Sequence, residues 1–480
     1  MRWDGTLGES HHARLIDAFV NGLDQSSLEA TYLGVGSLAH DPSLMLKIAL
    51  YETLEGHLSP SQWARHVTET DPLRWLGQGI KPSRSALYTF RDRLHGPVFE
   101  MHAQAIRAAM EDGLTTGKSA VQDGSSVRAC ASRHHLLNED TLAKRLDALL
   151  AAVAQDAAGQ PIAAQPSWMA QTSSGRQDQL QRYQMARAEL AQRVLKNEER
   201  DKDKRLLRSQ VRISVTDPEA PLGRDKEKVF GPLYTAQFVV DTESLLVLSF
   251  DVFAQPTDAG TLPVMLDRTQ EVTGVMVTQI STDAGYVSLL DLQECQTRGV
   301  QLIGPYQENN FTEQKRAKEA EPRIGKEQFQ WLPDEGTYRC PEGHRLDYKG
   351  QERVPRRDEQ TVVRFRFHCA AEHCRVCPKR ASCVRDPEKG RTVKRYEGEE
   401  LLEAHKAYMS TPAAKAILRI RGAVVERCFG DAKEHRKLHR LHGRGLKTAK
   451  VEIGLVVLVQ TAMTLARLRN NDANPRQNAA

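Results

Sequence analysis

Asp123, in QDGS, and Asp283, in TDAGY, share a setting: each follows an apolar run that reads as a strand and stands just before a glycine. Side chains at the strand ends of a mixed sheet leave the sheet edge and converge into ligand sites. A carboxylate there must be hydrated, paired or metal-bound, because burying it bare is costly. One Asp-Gly pair reads equally well as a turn; two on successive strands of one sheet point to chemistry. A third acid, Glu426, lies in RIRGAVVERCFGDAKEHRKL, where Val424, Val425 and Phe429 supply the apolar face of a helix. Lys433 follows seven residues on, two turns along the same face, placed to meet a phosphate. Asp431 and Glu434 are rival acids on that helix, and Glu426 also reads as a surface ion-pairing residue. Three converging carboxylates suit two hard divalent cations, Mg²⁺ or Mn²⁺. Two such ions about 4 Å apart activate a water or a 3′-hydroxyl on one side of a phosphorus and stabilise the leaving oxygen on the other.

A second set of residues points to a different metal. Cys374-x2-Cys377 has the spacing of a zinc knuckle, Cys383 follows, and Cys340 precedes them in YRCPEGH. Four thiolates make a closed tetrahedral set for a structural Zn²⁺. His344, Cys369 and His373 are alternative ligands, and unliganded reduced thiols are the competing reading. Clustered cysteines in a chain with no apolar leader favour metal over disulfides. Cys130, Cys295 and Cys428 read as core residues.

The elements that must position these groups follow from length and pattern. The chain has 480 residues, 40% of them hydrophobic, which is enough for two to four domains. Its run of residues offers no uninterrupted apolar stretch of the roughly 18 a membrane span needs, and its N-terminus is polar, so a cytoplasmic protein without membrane contact is expected. The net charge of +5 is modest, but between Asp431 and Lys450 stand Lys433, Arg436, Lys437, Arg440, Arg444, Lys447 and Lys450 against Asp431 and Glu434. Such a block faces solvent or a polyanion.

Residues 10–112 read as helical. Asp41 before Pro42 is a helix start, and Leu44, Ile48, Tyr51 and Leu54 form a stripe. In SRSALYTFRDRL, Ser83 or Ser85 caps a helix whose Arg84, Arg91 and Arg93 could reach phosphate; an ordinary helical domain with a basic face fits the same pattern. Residues 118–129 form a strand running into Asp123. Two helical stretches follow, at 138–156 and 174–210, the second so charged that it must be exposed as a hairpin arm or coiled coil. A hairpin at 233–241 and 245–253, a helix capped by Asp258, a strand ending at Asp283, a helix closed by glycine and a buried strand at VQLIGPY then give the order of a mixed sheet with crossover helices. The segments are therefore a helical N-terminal part (1–113), the candidate for DNA contact, the first part of a mixed α/β core (114–304, with a helical insertion at 133–212), a Cys-rich insertion (305–398), a C-terminal helical part of the core (399–469) and a disordered tail (470–480).

On these residues the chain resembles the DDE transposases of bacterial insertion sequences, most closely the insertion sequence eleven-eighty-two type, from about residue 10 to 468. DPSLMLKIALYETLEG…PSRSALYTFRDRL is similar to the family's helical N-terminal part. QDGSSVRACAS resembles its first-aspartate strand, LYTAQFVVDTESLLVLSFDVFAQPTDAGTLPVML its hairpin and helix, STDAGY its second-aspartate motif, and VVERCFGDAK followed by HGRGL its C-terminal block. The resemblance implies an RNase H-like core in which Asp123, Asp283 and Glu426 hold the two metals. It also implies cleavage at terminal inverted repeats, strand transfer into target DNA, and a homodimer on paired ends. Related enzymes often carry Tyr, Arg, Glu and Lys at set spacing; here Glu426 to Lys433 fits, Arg421 lies one residue too far upstream, and no tyrosine stands in the expected turn. DNA contacts are expected from Arg84, Arg91, Arg93, Arg436, Lys437, Arg440, Arg444 and Lys447, with Lys433 and Arg421 as accessory phosphate contacts. The alternative is a non-catalytic or domesticated DNA-binding protein of the same fold; a nuclease that cuts without joining is a third reading.

Overall fold

In the computed structural model of the chain, the described residues are 5, 7–32, 39–162, 165–200, 202–306, 324–355, 361–384, 386 and 388–473. They form two compact units, Met1–Thr282 with Ile417–Ala480, and Asp283–Ala416. The expected limits at residues 113 and 398 do not coincide with this division.

The first unit opens with seven helices: α1 (His12–Asn21), α2 (Ser26–Glu29), α3 (Pro42–Leu54), α4 (Pro60–Glu69), α5 (Asp71–Leu76), α6 (Arg84–Arg93) and α7 (Pro97–Glu111). Asp41 caps α3 as expected, accepting from Ser43 N at 2.7 Å ahead of Pro42. Ser83 caps α6 through Ala86 N. The expected one-sided stripe on α3 is not what forms: every residue from Leu44 to Leu54 is buried. The helix is central, with neighbours on all sides, and it carries its one cation, Lys47, to Asp17 at 2.7 Å.

The sheet of this unit is built on β1 (Ser119–Arg128). After the short β2 (Leu136–Leu137) come α8 (Glu139–Ala157), α9 (Ser173–Glu198), β3 (Ile213–Ser214) and β4 (Leu222–Arg224). The long β5 (Phe230–Asp241), β6 (Val247–Phe253), α10 (Thr261–Thr273) and β7 (Gln279–Ser281) complete the series. β5 runs antiparallel to β1 with Asp123 opposite Phe238, and β6 returns antiparallel along β5. β7 lies parallel on the other edge of β1, its last residue Ser281 opposite Val121. Two expectations change here. Strand β1 does not end at Asp123 but continues to Arg128, because β5 is long enough to pair it throughout. Asp258 does not cap α10: the left-handed Gly260 (φ 78°) precedes it, and Asp258 accepts from Gln237 Nε2 at 2.6 Å instead.

Helices α8 and α9, closed by the β2–β3 pair, enclose a small core of their own around Leu146, Leu149, Tyr183, Leu190 and Val194. α9 stops at Glu198 rather than near 210, because Asn197 turns the chain back by pairing both its amide groups with Leu206.

The second unit holds α11 (Leu289–Thr297), β8 (Gln301–Ile303), β9 (Gln330–Leu332), β10 (Thr337–Arg339), β11 (Arg345–Pro355), β12 (Thr361–His368), α12 (Ala371–Arg375), α13 (Arg380–Cys383), β13 (Thr392–Tyr396) and α14 (Glu399–Met409). Strands β9 to β13 form one antiparallel sheet in sequence order. Of the expected insertion at 305–398, residues 307–323, 356–360, 385 and 387 lie outside the described residues.

The chain then runs through α15 (Pro412–Gly430) and ends in α16 (Leu446–Ala473). The expected unbroken helical region is interrupted: Asp431–His435 is a π-helical turn, and residues 436–445 run through turns and bends with a single bridge at Arg440. There Arg128 N donates to His439 O and Leu441 N to Arg128 O, so this basic segment continues the edge of β1. α16 is the one helix among the described residues long and apolar enough to cross a membrane, by length and composition. It is instead the helix two cores share. Val451, Leu455, Leu458 and Val459 pack with α1–α7, while Ile453, Val456 and Val457 pack under the sheet with Val121, Phe238 and Phe250. α16 runs to Ala473, four residues into the expected tail; residues 474–480 lie outside the described residues.

Candidate functional site

Alternation along β1 places Val121, Asp123, Ser125 and Val127 on one face. The two valines anchor that face in the core shared with α15 and α16. Phe238, opposite Asp123, stacks on Phe429 of α15 at 4.6 Å between ring centroids and 11° between planes. That contact fixes α15 across β1. Arg421 Nη2 of the same helix reaches Asp123 Oδ1 at 3.4 Å, and Lys433, in the π-helical turn, reaches Ser126 O at 3.4 Å. Burial first, and then the nearby Lys226, lower the basicity of the Lys433 ammonium.

Asp123 is thus a mid-strand residue, but pairing with β7 stops two positions before it, at Val121–Ser281. Beyond that point one edge of β1 is free of β7. Asp283 lies the same two residues past Ser281 along the chain and is the first residue of the second unit. Its Oδ1 accepts from Gly285 N at 2.7 Å, opening the turn Ala284–Tyr286, so the turn reading of this aspartate is realised. At the end of β7 two buried hydroxyls have no hydrogen-bond partner, Ser281 Oγ and Thr282 Oγ1, and Ser125 Oγ, further along β1, has none either. Unsatisfied buried polar atoms in a native fold call for a reason, an ion or ordered water among them. The Arg421 guanidinium on Asp123 shows that this carboxylate attracts a cation. The donor set is carboxylate and hydroxyl oxygen, which suits hard divalent ions.

Glu426 is exposed on α15, three residues before Phe429. It does not share a regular face with Lys433, because the intervening π-helical turn shifts the phase of the helix; such turns recur at functional sites. The rival Asp431 is committed to Arg436 at 3.0 Å and to Gln460 at 2.9 Å.

The basic residues divide. Arg84, Lys437, Arg440, Arg444 and Lys447 are exposed. Arg440 lines a cleft with Arg128, Arg133, His134 and Phe230 at the end of β1, a grouping that the sequence reading missed. Arg93 lies over the ring of Tyr32. Arg91 is not available to phosphate: it is buried, paired with Asp92 at 2.8 Å and facing Glu452 at 3.5 Å. Arg436 is also structural, bound to Asp431 and donating to Leu54 O.

In the second unit Cys340, Cys369, Cys374, Cys377 and Cys383 line one hollow with His344 and His373. None of the eight cysteines forms a disulfide. Cys340 sits in a tight turn, with Gly343 N donating to Cys340 O and Cys340 N to His344 O. Burial and the neighbouring Cys374 push the Cys369 thiol up to about 12. Cys369 lines the hollow beside the four expected cysteines. The tightest grouping of metal-type ligands among the described residues is a different one, which the sequence reading did not mark: Glu52, His57 and His66, whose ligand atoms all lie within 4.8 Å of one another.

Comparison with known families gives two matches. A transposase DDE domain model matches residues 339–468, the stretch that holds the cysteines, Arg421, Glu426 and Lys433. A second model, for a transposase domain, matches residues 2–93. Asp123 and Asp283 lie between the two matched stretches. No curated protein and no solved structure matches.

Proposed function

We infer that this chain, which belongs to the DDE-type insertion-sequence transposases, cuts DNA at the ends of its element and joins them to target DNA with Asp123, Asp283 and Glu426 as its catalytic carboxylates. The family makes it a DNA transposase in general and DNA its partner. The observation that carries the finer reading is the face of β1: a carboxylate held mid-strand, beside the free edge left by β7 and under the helix that bears Glu426 and Arg421. The RNase H-like core is supported by the pairing around β1, antiparallel to β5 and parallel to β7, with β6 beyond β5.

Asp123, Asp283 and Glu426 would hold the divalent cations, which would supply the charge needed at the attacking hydroxyl and the leaving oxygen. The chain's own residues do the rest. Asp123 is held rigidly by ladder pairing and by the Phe238–Phe429 stack. Arg421, now on Asp123, is placed to turn to a phosphate oxygen when the carboxylate takes a metal. Lys433 and the exposed Lys437, Arg440, Arg444 and Lys447 hold the DNA backbone beside the site, a salt-sensitive contact. The cysteine set holds a structural Zn²⁺ in a zinc-ribbon-like fold, and two copies pair the two ends.

The test is cleavage and strand joining of element-end DNA with Mg²⁺ or Mn²⁺, comparing the chain with Asp123→Ala and Asp283→Ala. The reading expects metal-dependent cutting and joining by the unaltered chain alone. Equal DNA binding with no cutting by any of the three proteins would favour the non-catalytic DNA-binding reading, and cutting without joining the nuclease.

A further inference from the structure

Glu52 is the last but two residue of α3, His57 lies in the turn that follows, and His66 is on α4. The Glu52 side chain is 2% exposed. Its Oε2 lies 3.0 Å from His66 Nδ1 and 3.1 Å from His57 Nδ1. The two rings stand edge to face, 4.5 Å between centroids. His66 makes a hydrogen bond to the carboxylate. His57 does not: its Nδ1 is inaccessible to water and has no hydrogen-bond partner of acceptable geometry, although the carboxylate is beside it. Three ligand atoms converge, then, with spacings that hydrogen bonding alone does not explain.

Those spacings suit coordination. Ligands about 2.0 Å from a tetrahedral cation stand about 3.3 Å apart. Two imidazoles and a carboxylate are a set that zinc takes with one position left over for water or an external ligand. The cation would also neutralise a buried carboxylate that His66 and, at longer range, Arg65 help only in part against its burial. We propose that Glu52, His57 and His66 form a binding site for a divalent transition-metal ion of the zinc class, separate from the carboxylates of β1 and from the cysteines.

The site has a place in the architecture. It staples the α3–α4 turn, and that turn supports the basic segment after α15. Leu54 O accepts from Arg436. Gly56, at φ 80°, lies so close to the segment that an added Cβ would meet His435 O at 2.9 Å. An ion at Glu52, His57 and His66 thus fixes the ground on which Lys437 and Arg440 stand. Metal binding through Nδ1 would leave the His66 proton on Nε2, and the Arg65 guanidinium 3.2 Å from Nε2 would then have to move away.

The test uses full-length protein stripped of metal, reloaded with one equivalent of Zn²⁺ to fill the cysteine hollow and then titrated with Co²⁺. The proposal expects one equivalent bound with the visible bands of a tetrahedral site and no thiolate charge-transfer band. His57→Ala and His66→Ala should each weaken that binding about tenfold or more, and the half-exposed His57 gives a variant that keeps the buried Glu52–His66 pair. No tetrahedral Co²⁺ signal, or one unchanged by both histidine substitutions, overturns it. Asp123→Ala should leave the signal intact, so the result stands apart from the fate of the catalytic reading.

Discussion

The face of β1 and the cysteine hollow of the second unit both gather polar groups, but they rest on different foundations. Asp123 and Ser125 sit between Val121 and Val127 over a core of 22 buried hydrophobic residues among those described, including Phe238, Phe250, Phe429 and Ile453. The cysteines close a core of eight, and two of those eight are Cys369 and Cys374 themselves. A large core holds its shape without help from the polar groups laid upon it; a small one needs a staple. On the proposed reading, the first site serves chemistry on a core that stands without it, whereas the second would tie its bound ion to folding.

The largest effect should come from breaking the staple. Cys374→Ser with Cys377→Ser, or a strong chelator, should melt the second unit while the first keeps its transition, read by limited proteolysis with peptide mapping. Loss of both units together would erase the contrast. Next, Asp123→Ala should cut the rate of DNA cleavage by about 10³-fold or more and change thermal stability by less than about 1 kcal/mol; a large fall in stability would make Asp123 part of the foundation. Phe429→Ala should cost about 3–5 kcal/mol in denaturant unfolding, because it opens the stack that seats α15 on the sheet. The smallest effect is expected for Lys433→Ala, which should lower the slope of log affinity for DNA against log salt by about 1 and leave unfolding nearly unchanged.

The contrast also explains what could be read from the sequence. The β5–β6 hairpin, the Asp41 and Ser83 caps and the gathering of the cysteines depend on local pattern, and all formed as expected. What local pattern does not carry is the partner. β1 continues past Asp123 because β5 is there to pair it. α3 is buried all round because α16, some 400 residues later, covers its far side. Arg91 and Arg436 look like phosphate ligands until Glu452 and Asp431 claim them. The π-helical turn at Asp431–His435 has no sequence sign, yet it decides how Glu426 and Lys433 relate. Glu52, His57 and His66 went unmarked because they belong to a helix, a turn and the next helix, and no single period links them.

The central claim is that Asp123, Asp283 and Glu426 share bound metal. Affinity cleavage tests it most directly: Fe²⁺ in place of Mg²⁺, with ascorbate and peroxide, cuts the polypeptide where the ion is held. The account predicts backbone cuts close to residues 123, 283 and 426 together, suppressed by excess Mg²⁺ and lost from all three positions in Asp123→Ala. Cuts at one of these positions alone, or a pattern that Asp123→Ala leaves unchanged, would contradict it.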